Sequence, residues 1–196
     1  MRMLLVLLVI VALAPPNASS VVDPDPDGIG VYFDVNAENV HTWVGPTVVF
    51  DAYVILTNPS ANELEAFEFL YDLVVPPGME GLVFRLSYTF PDCPNCFEFF
   101  ENEVVLGLPA PVSLENPHVL MHLQYILLAP VEAQFFLGPT SGEPGTSGQL
   151  AYWSEAGMIT MHPSSGHSSL PVAMINSEGV VPVTETTFGS LKALYR

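Results

Sequence analysis

GLVFRLSYTF, residues 81–90, decides how this chain reads. Leu82, Phe84, Leu86, Tyr88 and Phe90 alternate with Val83, Arg85, Ser87 and Thr89. A period of two suits a half-buried β-strand and leaves a helix with no apolar side. The pattern predicts a strand with Leu82, Phe84, Leu86, Tyr88 and Phe90 turned inward. Similar material, rich in Val, Ile, Phe and Tyr, recurs at 30–35, 47–57, 63–75, 96–108, 117–129, 132–138, 149–154, 157–162 and 170–176. Turn-forming clusters such as NPSAN, VPPGMEG, GPTSGEPGTSG and HPSSGHSS separate these runs. About nine short strands, with no amphipathic crossover helices between them, predict an all-β fold of two packed antiparallel sheets, a β-sandwich.

The two ends read differently. Arg2 and the apolar run MLLVLLVIVALA, residues 3–14, have the form of a signal peptide; about 12 apolar residues are too few to span a hydrocarbon core of about 30 Å. Residues 1–20 are therefore expected to be a leader, cut after Ala18 or Ser20, because Pro15 and Pro16 follow the A-x-A at Ala12–Ala14. Residues 21–28 form an acidic, Pro-rich lead-in, 29–184 the sandwich domain, and 185–196 a tail. In that tail Thr186 or Thr187 can cap a short helix, with Lys192 and Arg196 toward its C-terminus, although Gly189 weakens it. The expected location is secreted or periplasmic, with no stable membrane insertion after cleavage.

The chain holds 21 acidic residues against 4 Lys and Arg, a formal charge of −17 at pH 7. Once the leader takes Arg2 away, Arg85, Lys192 and Arg196 are the remaining bases. Such a surface repels nucleic-acid phosphates and attracts cations and basic partners, so nucleic-acid binding is excluded. A hydrophobic content of 49% supplies a core for one domain.

Cys93 and Cys96 sit in PDCPNC. Export permits a disulfide, and the pair is expected to staple a turn. A redox pair needs the start of a helix, whereas Pro91 and Pro94 bracket these cysteines between strand-like runs. Zinc would require two further ligands from elsewhere.

DPDPDGIGVYFD, residues 23–34, has the acidic spacing that opens an EF-hand loop, with Asp34 at its twelfth position. Pro24 and Pro26 fix φ and favour an extended path, and the strand from Gly30 carries Asp34 away from Asp23. The calcium reading that remains is a looser site using Asp27 or Asp34 with a neighbouring loop. No other cofactor is expected.

His118 and His122 form HxxxH, but on a strand they lie roughly 13 Å apart, too far to share one ion. His162 and His167 flank PSSG without a third ligand, and His41 is isolated. There is no GxSxG elbow, and Ser164, Ser165, Ser168 and Ser169 lie in a small-residue turn, so no catalytic residue is selected. Trp43, Tyr152 and Trp153 are the candidate ligand-binding aromatics, since flat apolar rings with a polar tip suit partly wet binding. Strand alternation turns one of Tyr152 and Trp153 inward and the other outward.

GIGVYFD near the start, TNPS after the second run and TTFGSLKALYR at the end together resemble a group of small exported bacterial proteins of unknown function. That group opens on a G-x-G-x-Y/F-F-D strand and closes on T-W-G-x-x-K-x-L-Y-R; here Phe188 stands in place of the Trp. The resemblance covers roughly a quarter of the chain and implies no catalytic residues. The run of strands also resembles the jelly-roll-like sandwiches of cohesin and carbohydrate-binding modules, a likeness of fold that does not convey function. The sequence thus reads as an exported structural or interaction module. It would contact a protein or glycan through sheet edges, loops or an acidic face. A carbohydrate-binding module and a secreted hydrolase are the alternatives.

Overall fold

A computed structural model describes residues 24–96, 102–179 and 181. The leader expected at 1–20 and the tail at 185–196, with its short helix, lie outside the described residues, as do residues 97–101 of the run at 96–108.

Twelve strands are described: β1 (Gly28–Tyr32), β2 (His41–Thr42), β3 (Val49–Thr57), β4 (Glu63–Val74), β5 (Val83–Thr89), β6 (Glu103–Ser113), β7 (His118–Leu127), β8 (Ala133–Gly138), β9 (Ala151–Ser154), β10 (Gly157–Thr160), β11 (His162–Pro163) and β12 (Ala173–Ile175). They form two sheets, as expected. One has the order β11-β1-β3-β7-β5; the other runs β10-β9-β4-β8-β12-β2, with β6 also paired to β4. Two pairings are parallel, β1 with β11 and β12 with β2, so both sheets are mixed rather than purely antiparallel. Each involves a two-residue strand at a sheet margin, a loop segment drawn against the end of its sheet.

Alternation builds the core. In β7, Met121, Leu123, Tyr125 and Leu127 point inward while His122, Gln124 and Ile126 do not. They join Phe67, Phe69 and Tyr71 of β4 and Phe135 and Leu137 of β8 in one cluster, with Tyr125 edge-on to Phe135 at 5.6 Å. Each such large side chain contributes about 1.5–3 kcal/mol on burial.

The stretch at 81–90 is a strand, but its buried face is corrected. Phe84 and Leu86 are 46% and 52% exposed, whereas Val83, Tyr88 and Phe90 pack on the core. The cause is a register shift between Arg85 and Ser87, where β5 holds one residue more than β7 opposes. A bulge of this kind swaps the faces on either side of it, so no single alternation runs through the strand. Arg85 lies on the inward side, donating to Tyr71 Oη and, at 3.3 Å, to Asn102 Oδ1, with its guanidinium 5.1 Å from the Tyr88 ring centroid. Beyond β5 the Cys93–Cys96 disulfide is present; the Cys93 amide donates to Phe90 O and the Cys96 amide to Cys93 O, so the bridge closes a turn.

Candidate functional site

The strand directions gather four connections at one end of the sandwich. Val49 faces Ile126, Val83 faces Leu127, Val74 faces Gln134 and Ile175 faces both Ala133 and Thr42. The loops 43–48, 75–82 and 128–132 and the turn after β12 therefore lie together. Trp43, Val48, Val49, Val74, Met79, Phe84 and Leu128, all exposed, belong to this end. Trp43 is 68% exposed.

Trp43, Val74 and Phe84 line a chain of open grooves. One of about 420 Å³ lies between Trp43, Pro130 and Glu132; a second of about 270 Å³ between Glu132, Val74, Pro76 and Pro77; a third of about 570 Å³ between Val74, Glu80, Phe84 and Asp72. Glu132 is common to the first two, and Val74 to the last two, so the grooves run on from Trp43 to Phe84. The rim is acidic. Glu80 Oε1 accepts the Gly78 amide at 3.1 Å, and N–H groups of its own backbone and of Gly78 hold its carboxyl below the usual range.

The loops that carry this surface are pinned. Asn176 Oδ1 accepts the Val44 amide at 2.7 Å, while its Nδ2 donates to Val44 O at 3.1 Å and Val131 O at 3.2 Å. Its own amide donates to Thr42 O, and its φ of 53° is the left-handed conformation that Asn tolerates better than most residues. The Thr47 amide donates to Leu127 O and the Leu128 amide to Leu82 O. An exposed tryptophan on a fixed loop loses little freedom on contact, which favours it as an interface anchor.

The other sequence candidates lie elsewhere. Asp27 and Asp34 flank the two ends of β1, about 20 Å apart along an extended chain. Asp27 Oδ1 accepts from the Ser60 amide at 2.8 Å and from Tyr152 Oη at 2.6 Å; Asp34 Oδ1 accepts from the Asn36 and Glu38 amides. Asp34 thus organises its own turn, whereas Asp27 ties the entry of β1 to Ser60 and to β9. Of the adjacent aromatics, Tyr152 is fully buried and Trp153 half-buried on the outer side. His118 and His122 each have a separate carboxylate, with Nε2 of His118 2.8 Å from Asp92 Oδ2 and Nε2 of His122 2.7 Å from Asp51 Oδ1. His122 stacks on Tyr53 at 4.8 Å. The Tyr53 phenol is pushed up by burial and then by the Asp51 and Asp34 carboxylates. His167 lies beside Ser169 in its own turn, and Ser164 and Ser165 are buried. Among the described residues, no three His, Cys, Asp or Glu side chains converge as a metal site. Nor is any helix there long and apolar enough to cross a membrane.

Sequence reasoning missed Glu68 and Glu103. Both are buried, and both fasten the loop 139–149 onto the outer face of β4 and β6. Glu68 accepts from the Ser147 amide at 3.0 Å, the Gln149 amide at 3.1 Å, Thr140 Oγ1 at 3.3 Å and Ser147 Oγ. Glu103 accepts from the amide and hydroxyl of Ser141. The available signal was a carboxylate set between large apolar neighbours, as Glu68 is between Phe67 and Phe69, together with a loop rich in Ser, Thr and Gly.

Fold and surface together define a two-sheet β-sandwich with an apolar, acid-rimmed loop end. No family model matches the chain, and no curated protein matches it. Among solved structures it is similar to the sixth cohesin of scaffoldin B from Acetivibrio cellulolyticus, solved in complex with a mutant Cel5 dockerin. The two are 11% identical with a TM-score of 0.49, over 79% of this chain and 100% of that one. It is similar also to a type II cohesin domain from the cellulosome of the same organism, at 11% identity and a TM-score of 0.45 over 78% and 96% of the two chains. CaCohA2 from Clostridium acetobutylicum gives 11% and 0.44 over 81% and 94%. At these identities and scores none of them assigns the chain a function.

Proposed function

We propose that this chain is an exported interaction module, and that its loop end seats a protein partner presenting apolar side chains ringed by basic ones. The observation that carries the reading is the gathering of Trp43, Val48, Val74, Met79, Phe84 and Leu128, all exposed, around continuous grooves on hydrogen-bonded loops. Soluble proteins rarely leave such a patch uncovered unless it binds something. The acids at its margin, Glu80, Glu132 and Asp72, set the sign of the partner's rim, since complementary charge steers encounter and excludes wrong partners.

Site-specific photo-crosslinking in the producing cell tests this reading. A photoreactive residue at position 43 or 84 should trap a defined protein, and the same residue at position 116, on the opposite end, should not. Equal trapping from all three positions would remove the assignment.

A further inference from the structure

On the outer face of the sheet that holds β4, the register sets Met158, Trp153, Ala66 and Gly107 in one row. Beyond the indole this row has almost no side chain: Ala66 adds a methyl, and a Cβ built at Gly107 would meet nothing within 4 Å. The neighbouring row is roofed, because Glu68 there holds down the loop 139–149. A groove of about 590 Å³ is left between Trp153 and Thr146 of that loop. Glu65, unpaired at the register shift between Leu64 and Ala66, also lines it.

The groove thus joins an indole, a floor of small side chains at Ala66 and Gly107 and a carboxylate, and no Lys or Arg lines it. The whole chain carries −17, and among the described residues Arg85 is the one Lys or Arg. An anionic ligand is repelled. A cation meets both an aromatic face, whose quadrupole attracts it, and an opposite charge. We propose that this groove takes the guanidinium or ammonium group of a basic peptide, stacked on Trp153 and paired with Glu65. A saccharide would use the same ring with no need of the carboxylate and little sensitivity to salt, which separates the two. The site stands apart from the loop end: from Ala66 to Val74 along β4 is about 26 Å. It holds or fails independently of the proposed function.

The test is fluorescence of the full chain carrying Trp43→Phe, in which Trp153 is the remaining tryptophan of the 2. It is titrated with hexa-arginine and, separately, with a neutral cello-oligosaccharide, each at low and high salt. A saturable change with hexa-arginine is expected, weakened about tenfold by Glu65→Gln and strongly reduced by salt. Gly107→Leu, whose Cβ meets nothing within 4 Å and whose side chain fills the groove, should abolish it. A response that survives Gly107→Leu reports general attraction to an acidic surface and overturns the site. So does a response to the oligosaccharide alone, or one indifferent to Glu65→Gln.

Discussion

Tyr152 donates its phenolic proton to Asp27 Oδ1 across 2.6 Å, tying β9 to the entry of β1. The same carboxylate oxygen accepts the Ser60 amide, and Tyr152 Oη accepts the Ala61 amide at 3.3 Å, so three segments meet on two side chains. Tyr152→Phe removes a donor from the half-buried Asp27 carboxylate and is expected to cost about 1–3 kcal/mol in urea unfolding. Burial, followed by the hydrogen bond to Asp27, raises the Tyr152 phenol above its ordinary value near 10. A group raised in the folded state stabilises fully below its unfolded value and loses that contribution as pH climbs through the folded one. Stability should therefore fall above about pH 10 in the native chain and fall less in Tyr152→Phe. Equal alkaline slopes would contradict this.

Asp51 gives the opposite pH behaviour. The hydrogen bond with His122 first, and that with Gln124 second, hold its carboxyl below the ordinary 3.8. A carboxyl lowered in the folded state stabilises above its unfolded value, and the contribution disappears as pH falls through the lower, folded one. Asp51→Asn should make acid unfolding less steep below about pH 4. Because Asp51 is partly exposed, high salt should shrink the difference between the two proteins.

Glu68→Ala leaves the Ser147 and Gln149 amides without their buried acceptor. A loss of about 1–3 kcal/mol is expected. The sharper readout is limited proteolysis, which should move to the loop 139–149 while cleavage elsewhere stays slow. Glu68→Gln, which keeps an acceptor oxygen, should be cut at an intermediate rate.

Asn176→Gly separates the backbone from the clamp. Glycine adopts the φ of 53° without strain but cannot hold the Val44 amide and carbonyl. Hydrogen exchange at the Val44 amide should accelerate about tenfold, the equivalent of one lost hydrogen bond, while β3 and β7 keep their protection. Partner affinity should fall with it, because Trp43 would no longer be fixed before contact.

Much of the architecture was legible because alternation is a local property. β7 carries its inward and outward residues in register with the sheet, and Tyr152 and Trp153 divide between inside and outside as neighbours on a strand must. What the sequence hid was every slip of register. The shifts at Val54/Ile55, Leu64/Ala66 and Arg85/Ser87 are set by how strands meet partners far away in the chain. Reading 81–90 as one unbroken alternation therefore put Phe84 and Leu86 on the wrong face. Glu68 and Asn176 were hidden for a related reason, since each acts on backbone groups remote in sequence: Gln149 for the first, Val44 for the second. The loop end is likewise an assembly of connections that only strand direction brings together.

Whether that loop end is a contact surface is settled most directly by affinity. The partner trapped from position 43 is titrated against the purified chain and against Trp43→Ala, Phe84→Ala and Asn116→Ala, with folding of each variant checked by thermal unfolding. Trp43→Ala and Phe84→Ala are expected to weaken binding at least tenfold, about 1.4 kcal/mol or more, while Asn116→Ala leaves it unchanged. Binding unaltered by both loop-end substitutions, or lost equally with Asn116→Ala, would contradict the assignment.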